Sequence, residues 1–205
     1  SAFCKGILKK IFRANNYPLA RCSCCDAVLV TQKPSETELK NIYSASYFSN
    51  PKYKNTNALQ KEHQRRLNII RRYIKKHSKI LDFGCAQAEF VEYATDEYDM
   101  YGFDFYENAI QEAHKKRPEL ISKLKAGILT ETCYLPESFD GVVLWDVIEH
   151  LWDPTETLKK LFHFIKPGGF LFISTPNINS LSAIFLKQYW ALMTPPEHLS
   201  FLNGV

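Results

Sequence analysis

Asp146, Glu149 and His150 crowd into the stretch "WDVIEHLWDP", and Glu197 and His198 follow in "TPPEHLSF". Carboxylates beside histidines at this spacing suit two kinds of chemistry. The ordinary pKa of histidine lies near neutrality, so His150 or His198 can take a proton from an acceptor hydroxyl. The set Asp146, Glu149, His150 and His198 is also a donor set for a divalent cation that orients and acidifies such a hydroxyl. A plainer reading has Glu149 capping backbone amides and His150 packing in a loop. We take His150, Glu149 and His198 as the candidate catalytic residues.

A second constellation begins at "KILDFGCAQAEFVEYA", Lys79 to Ala94. It reads as a buried strand, a tight turn and a helix start. Gly84 lets the backbone turn sharply without a side chain in the way. Asp104 closes the next strand, 22 residues after Asp82. A carboxylate there can accept both hydroxyls of a ribose, and Phe105 can lie along a purine face. A dinucleotide needs close backbone approach to a pyrophosphate, which a three-glycine turn supplies. Here Ala86 and Ala88 stand where further glycines would be, so S-adenosylmethionine fits better than NAD. Alanine at a left-handed position would cost affinity, whereas alanine in helical geometry is harmless; the helix start predicts the second case for Ala88.

The elements that must position these residues alternate. Strands are predicted at Lys79–Phe83, Met100–Phe105, Leu124–Ala126, Gly141–Asp146 and Phe170–Ser174. Helices are predicted at Glu89–Tyr98, Tyr106–Lys116 and Pro154–Ile165, with "KPGG" at Lys166–Gly169 turning the chain into the last strand. Upstream, Ser35 and Glu38 form a capping box for a helix from Glu36 to Tyr43. A further helix spans 58–76, with Leu67, Ile69, Ile70, Tyr73 and Ile74 as its buried stripe. "AVLV" before residue 31 reads as a short strand, and Asn50-Pro51 as a turn. Alternation with near-continuous apolar strands implies an α/β fold, a doubly wound, mainly parallel sheet, with ligands at the carboxyl ends of its strands. The expected domains are a Cys-containing extension at 1–34, a helical lid or linker at 35–78, and a cofactor-binding domain at 79–205.

Composition sets bounds. The 205 residues are 45% hydrophobic and 23% charged, the balance of a globular domain, and no apolar run approaches the ~20 residues of a membrane span. The start lacks the layout of a signal peptide, so the expected location is cytoplasmic. The net charge of +4 is uneven: residues 1–79 hold 17 Lys/Arg against 4 Asp/Glu. Such a half could attract nucleic acid, although charge runs usually solvate a face.

"ILDFGCAQAEF", "GFDFYENAI" and the long block from Leu135 to Asn177 resemble the class I S-adenosylmethionine-dependent methyltransferases, over about residues 35–200. Within them the similarity is greatest to the branch of ubiquinone-biosynthesis O-methyltransferases and bacterial sugar- and polysaccharide-pathway enzymes. The resemblance implies a Rossmann-like sheet and methyl transfer to a small-molecule acceptor, with S-adenosylhomocysteine as product. It implies that Asp82 and Gly84 meet the methionine end, Asp104 the ribose, and Phe105, with Ile128 and Leu129, the adenine, with Ala86 among the cofactor-binding residues. Asp146 would lie beside the methionine or the acceptor. The aromatics Tyr43, Tyr47, Phe48, Trp145, Trp152, Tyr189 and Trp190 would be walls and lids. Relatives carry a further helix and two strands beyond the "PPEHLSF" region, so a sheet of five strands, or a piece of a longer protein, is expected. The Glu-His pair with a distal His is similar to the metal site of small-RNA 2′-O-methyltransferases, which makes a metal-dependent RNA methyltransferase the second reading. A catalytically degenerate methyltransferase-fold binding module is the third. The N-terminal "RCSCCD" resembles a zinc-binding extension of part of this group, which assigns Cys4, Cys22 and Cys25 to a structural zinc.

Overall fold

The computed structural model describes residues 2–42 and 56–204. The predicted turn at Asn50-Pro51 and the aromatics Tyr43, Tyr47 and Phe48 lie outside them. In chain order the elements are β1 (Leu8–Ala14), β2 (Tyr17–Cys22), β3 (Val28–Val30), α1 (Glu36–Ile42), α2 (Thr56–Ile70), β4 (Lys79–Phe83), α3 (Glu89–Ala94), β5 (Asp99–Asp104), α4 (Glu107–Lys116), β6 (Leu124–Ala126), β7 (Phe139–Trp145), α5 (Pro154–Phe164), β8 (Ile165–Ser174), α6 (Leu181–Leu186) and β9 (Ser200–Phe201). The chain divides into two compact units: one of Ser1–Ile42, Asp146–Leu158 and Ile173–Val205, the other of Tyr43–Trp145 and Lys159–Phe172.

The α/β reading holds. A five-stranded parallel sheet has the order β6-β5-β4-β7-β8. Its first strand in the chain, β4, lies inside, pairing with β5 on one side and β7 on the other. The order reverses there, which opens a crevice outside the carboxyl ends of β4 and β7. The strands read as apolar runs because both faces are covered: Ile80, Leu81, Phe83, Met100, Val142 and Val143 are all buried. Asp82 and Asp104 are the buried charged residues of β4 and β5, each less than a tenth exposed. Gly102 on β5 is glycine for packing: a Cβ would stand 2.7 Å from Cys85 Sγ.

Element limits differ from the sequence reading where packing overrides pattern. The helix after β4 stops at Ala94, not Tyr98. The "KPGG" stretch is not a turn but the start of β8, which begins directly after α5. β8 is an edge strand, where a proline costs no ladder bond. Tyr73, predicted to be buried, is 56% exposed and rests its ring on Phe170 and Phe172. The capping box at α1 is present: Glu38 N donates to Ser35 Oγ at 3.2 Å, and Ser35 N donates to Glu38 Oε2 at 2.8 Å.

An antiparallel sheet, order β1-β2-β3-β9, builds the N-terminal part of the first unit. Only β3 was expected. β1 and β2 join through Asn15 and Asn16, both at positive φ (44° and 65°), as a two-residue hairpin turn requires. The sheet's apolar face packs Leu19, Val28 and Val30 with Trp190, Met193, Leu199 and Phe201.

Candidate functional site

The cofactor-type residues other than Asp146 gather in the unit of the parallel sheet. The turn after β4 is held to the end of β5 by Gly84 N and Cys85 N, which both donate to Phe103 O at 2.7 and 3.1 Å. Asp104 then ties the turn from its side chain: Ala86 N donates to Oδ2 at 2.8 Å and Tyr106 N to Oδ1 at 2.9 Å. Each oxygen keeps acceptor capacity for a hydroxyl. Burial raises the Asp104 carboxyl above its ordinary range, with those amides pulling the other way. Phe105 is 38% exposed, edge-on to Phe83 and Phe103. Of the other two adenine candidates, Ile128 is 82% exposed and Leu129 is buried.

Gly84, Ala86 and Ala88 all adopt positive φ: 82°, 48° and 64°. The expectation of helical geometry for Ala88 is therefore wrong. It is the left-handed N-cap of α3, with φ 64° and ψ 26°. The turn keeps the conformation that glycine favours, and two alanines bear its strain.

Asp82 is buried, and that burial pushes its carboxyl up to about 7, with the positive charge of Arg66 opposing and Asp104 adding to the rise. Arg66 escaped the sequence reading. Its side chain is only 14% exposed, its guanidinium sits 5.5 Å over the Trp145 ring, and it pairs with Glu62 at 3.1 Å. The signal was there: an arginine beside the buried stripe of α2, next to Leu67. Trp145 Nε1, at the end of β7, is buried without a hydrogen-bond partner among the described residues.

The histidines gather in the other unit. A single 3-10 turn, Ile148–His150, follows β7 in the chain. Glu149, His150 and His198 bring their donor atoms within 4.8 Å of one another, and the imidazoles of His150 and His198 meet edge to face at 4.8 Å between centroids. The antiparallel sheet seats the distant partner: Leu29 pairs with Ser200, Val30 N donates to Leu199 O, and Leu199 N donates to Glu149 O. His150 Nδ1 donates to Glu197 O at 2.8 Å and His198 Nδ1 to Leu192 O at 2.7 Å. Because carbonyls only accept, both Nδ1 atoms carry the proton, and in the neutral rings Nε2 is the basic nitrogen. Burial, with His198 adding, holds His150 down to about 4. Burial, with the charge of Asp146 adding and a Thr175 hydrogen bond opposing, pushes Glu149 up to about 7, and its Oε2 is buried without a close hydrogen-bond partner among the described residues. Asp146 is not in this cluster. It is exposed, at φ 58°, and its Oδ1 accepts from Ser174 Oγ.

The cysteines also converge. Donor atoms of Cys4, Cys22 and Cys25 lie within 4.8 Å of one another, with Cys4 Sγ 3.4 Å from Cys22 Sγ. Backbone amides of Cys25 and Cys24 lower Cys22 to about 6. Gly6 makes room: a Cβ there would fall 2.3 Å from Cys22 Sγ.

A methyltransferase-domain family model matches residues 53–205. A probable S-adenosylmethionine-dependent methyltransferase of Mycolicibacterium smegmatis is 30% identical over 99 residues, 48% of this chain and 38% of that protein. A ubiquinone biosynthesis O-methyltransferase of Paraburkholderia phymatum is 29% identical over 148 residues, 63% of this chain and 61% of that protein. The chain thus spans less than two thirds of the length of these relatives. Among solved structures, the PH0226 protein of Pyrococcus horikoshii shares the fold at a TM-score of 0.53 and 22% identity, over 63% of this chain and 66% of that one.

Proposed function

The chain belongs to the methyltransferase-domain family, and from that premise we propose that it transfers a methyl group from S-adenosylmethionine to oxygen or carbon of a small-molecule acceptor. The observation that carries this reading is the Asp104 carboxylate, fixed by two backbone amides at the end of β5 and joined to the turn after β4. Both stand beside the point where the strand order reverses, where such sheets take nucleoside ligands.

The surrounding groups fit the cofactor. A ribose presents two hydroxyls, and the Asp104 oxygens accept them. A methionine end presents an ammonium and a carboxylate. Asp82 is a buried carboxyl that a cation would restore to its ionised form. Arg66, and the unpartnered Trp145 Nε1, are donors suited to a carboxylate. S-adenosylmethionine, when bound, supplies an already activated methyl on a sulfonium, so the residues need only align the acceptor and exclude water.

Glu149 is the better candidate base. Its carboxyl, held near 7, matches a proton acceptor working at neutral pH, whereas His150 at about 4 is a weak one. Asp146 is assigned to the acceptor or methionine, as its place in the family motif implies. The Cys4, Cys22 and Cys25 cluster is assigned a structural zinc.

A specific observation favours a second role for Glu149, His150 and His198. Two imidazoles locked with Nδ1–H on carbonyls, beside a buried carboxylate with an unsatisfied oxygen, form a donor set for a divalent cation. These residues would hold the ion, and it would polarise the acceptor hydroxyl.

Calorimetric titration tests the main reading, with S-adenosylmethionine, S-adenosylhomocysteine and NAD as control. Micromolar binding of the first two, lost in Asp104→Ala, is expected. A folded chain that binds neither would overturn it. Metal content after dialysis against zinc, manganese or magnesium, compared with Glu149→Gln, separates the base from the ligand.

A further inference from the structure

Four of the six cysteines fall within residues 1–25, and the sulfurs of Cys4 and Cys22 stand 3.4 Å apart without being bonded. Their backbones are held differently. Cys22 ends β2, where its N donates to Ala27 O at 2.8 Å, and it is 1% exposed. Cys4 lies in a bend before β1, outside every strand and helix, and is half-buried. Gly6 N donates to Cys4 Sγ at 3.3 Å, and Gly6 has no Cβ to keep the Cys22 sulfur away. A disulfide is about 2.05 Å long, so an approach of roughly 1.4 Å by the looser residue closes the bond. Cys4 thus meets two requirements of a peroxide-reactive thiol. Solvent reaches it, and a second thiol stands beside it to resolve the product.

We propose that Cys4 and Cys22 are an oxidisable pair: a hydroperoxide converts them to a disulfide, and the change at Cys4 reaches the segment that carries Glu149 and His150. In the first step the Cys4 sulfur gives an electron pair to the outer oxygen of the hydroperoxide. The O–O bond breaks, the alcohol or water leaves with the Cys4 proton, and Cys4 becomes a sulfenic acid. In the second step the Cys22 sulfur attacks the Cys4 sulfur. The S–O bond breaks, the S–S bond forms, and water leaves with the Cys22 proton. Two thiols lose two electrons in all, and one hydroperoxide is reduced by them. The buried Cys22 suits the second role, since it needs to meet only Cys4.

Cys4 is coupled onward through its backbone. Two residues before it, Ala2 O accepts from Thr155 Oγ1, in the first turn of α5. Thr155 belongs to Asp146–Leu158, the part of the same unit in which Glu149 and His150 lie. Drawing Cys4 toward Cys22 pulls on Ala2 and weakens that bond, so the oxidised chain holds the start of α5 less tightly. This coupling bears on the reaction through the roles proposed for Glu149 and His150, whereas the disulfide rests on the sulfur geometry alone. The same two sulfurs cannot hold a zinc ion and be bonded to each other, so oxidation also expels the ion where one is bound.

Mass mapping of the full chain, reduced and then treated with hydrogen peroxide, tests this. Trypsin releases residues 1–5 and 22–40 as separate peptides, since Lys33 precedes a proline. Oxidation should join them into one species two hydrogens lighter than their sum, with Cys24 and Cys25 still open to alkylation and the link reversed by dithiothreitol. Fragmentation of the joined peptide places the bond at Cys22 in the parent chain itself, so the assignment stands without a folded Cys22→Ser chain. Where that variant folds, the joined species should be lost, and dimedone should trap a sulfenic acid on Cys4. A bridge from Cys22 to Cys25 leaves the two peptides apart and overturns the proposal, as does joining that persists undiminished in Cys22→Ser. Joined peptides from a chain that carries no zinc support the pair and remove the ion, so the two readings fail separately. Amide exchange over residues 153–158 should rise on oxidation and return with dithiothreitol, whereas Thr155→Ala should start high and not respond. Exchange unchanged in the oxidised chain overturns the coupling.

Discussion

The Ala86 amide and the Asp104 carboxylate are joined at 2.8 Å, so one side chain fixes both the turn after β4 and, through Tyr106 N, the start of α4. Asp104 therefore has a structural task beside its proposed contact with a ribose. Asp104→Ala leaves two backbone N–H groups without their acceptor, at about 1–3 kcal/mol each where water cannot replace it. Asp104→Asn keeps one carbonyl oxygen and should lose roughly half as much. Urea unfolding of both variants, alongside cofactor titration, checks this. Lost binding with unchanged stability in Asp104→Ala would show that the tie is dispensable.

The two alanines of the same turn give different expectations on substitution by glycine. Ala86 at φ 48° is strained by about 1–2 kcal/mol relative to glycine, less the roughly 0.4–1 kcal/mol that glycine adds to unfolded-chain entropy. Ala86→Gly should stabilise by about 0.5–1 kcal/mol. Ala88 has the same strain, at φ 64°, but is fully buried, and glycine there gives up a packed methyl worth about 0.8 kcal/mol. Ala88→Gly should be near neutral. Midpoints of chemical unfolding distinguish the two, and equal gains would mean that Ala88 packing contributes nothing.

These alanines also mark where the sequence is legible. An apolar run located β4 to the residue, because a strand covered on both faces has no choice of composition, whereas β6 matches its expected bounds as an edge strand with Lys125 and Ala126 exposed. Backbone conformation at Ala88 was not legible, because the hydrogen bonds that hold the turn come from Phe103 and Asp104 on another strand. β1 was missed since "LKKIFRA" exposes most of both faces and shows no alternation. β9 is two residues long, below any pattern. Convergence of loops after neighbouring parallel strands is the ground the sequence offers for setting His198 beside Glu149 and His150, whereas in the structure β3 and β9 seat it, with Leu199 N donating to Glu149 O.

Stability should respond weakly to pH between about 4.5 and 6.5, because two pairs of groups oppose one another. Asp82 and Glu149 are raised to about 7 from 3.8 and 4.5, so the folded state holds more protons than the unfolded, and stability falls as pH rises through this window. His63 and His150 are lowered to about 4 from 6.5, each mainly by burial, so the folded state holds fewer, and stability rises with pH through the same window. Asp82→Asn removes one side of the balance. Its stability should climb from pH 4.5 to 6.5, by at most about 3 kcal/mol, one unbalanced proton at about 1.36 kcal/mol per pH unit. Urea unfolding across that range reads the slope. A slope unchanged from the parent would mean that Asp82 stays ionised.

The cysteine cluster predicts a metal measurement. Thiolates around tetrahedral zinc lie 2.3 Å from the ion, hence about 3.8 Å from one another, and Cys4 and Cys22 already stand 3.4 Å apart. Cys22, lowered to about 6, is largely thiolate at neutral pH, the form that zinc needs. Cys24 is exposed next to them and is the nearest candidate for a fourth ligand. Chain purified under reducing conditions should carry about one zinc, released by Cys22→Ser and retained in Cys133→Ser, whose thiol sits in the separate loop with Thr130. Elemental analysis gives the stoichiometry. Chelation should also loosen the β1-β2-β3-β9 sheet, since Cys4 and Cys22 bracket β1 and end β2, and amide exchange at Leu19–Arg21 should rise. Zinc-free chain with exchange unaffected by chelator would remove the metal from this unit and leave a packed thiol cluster in its place.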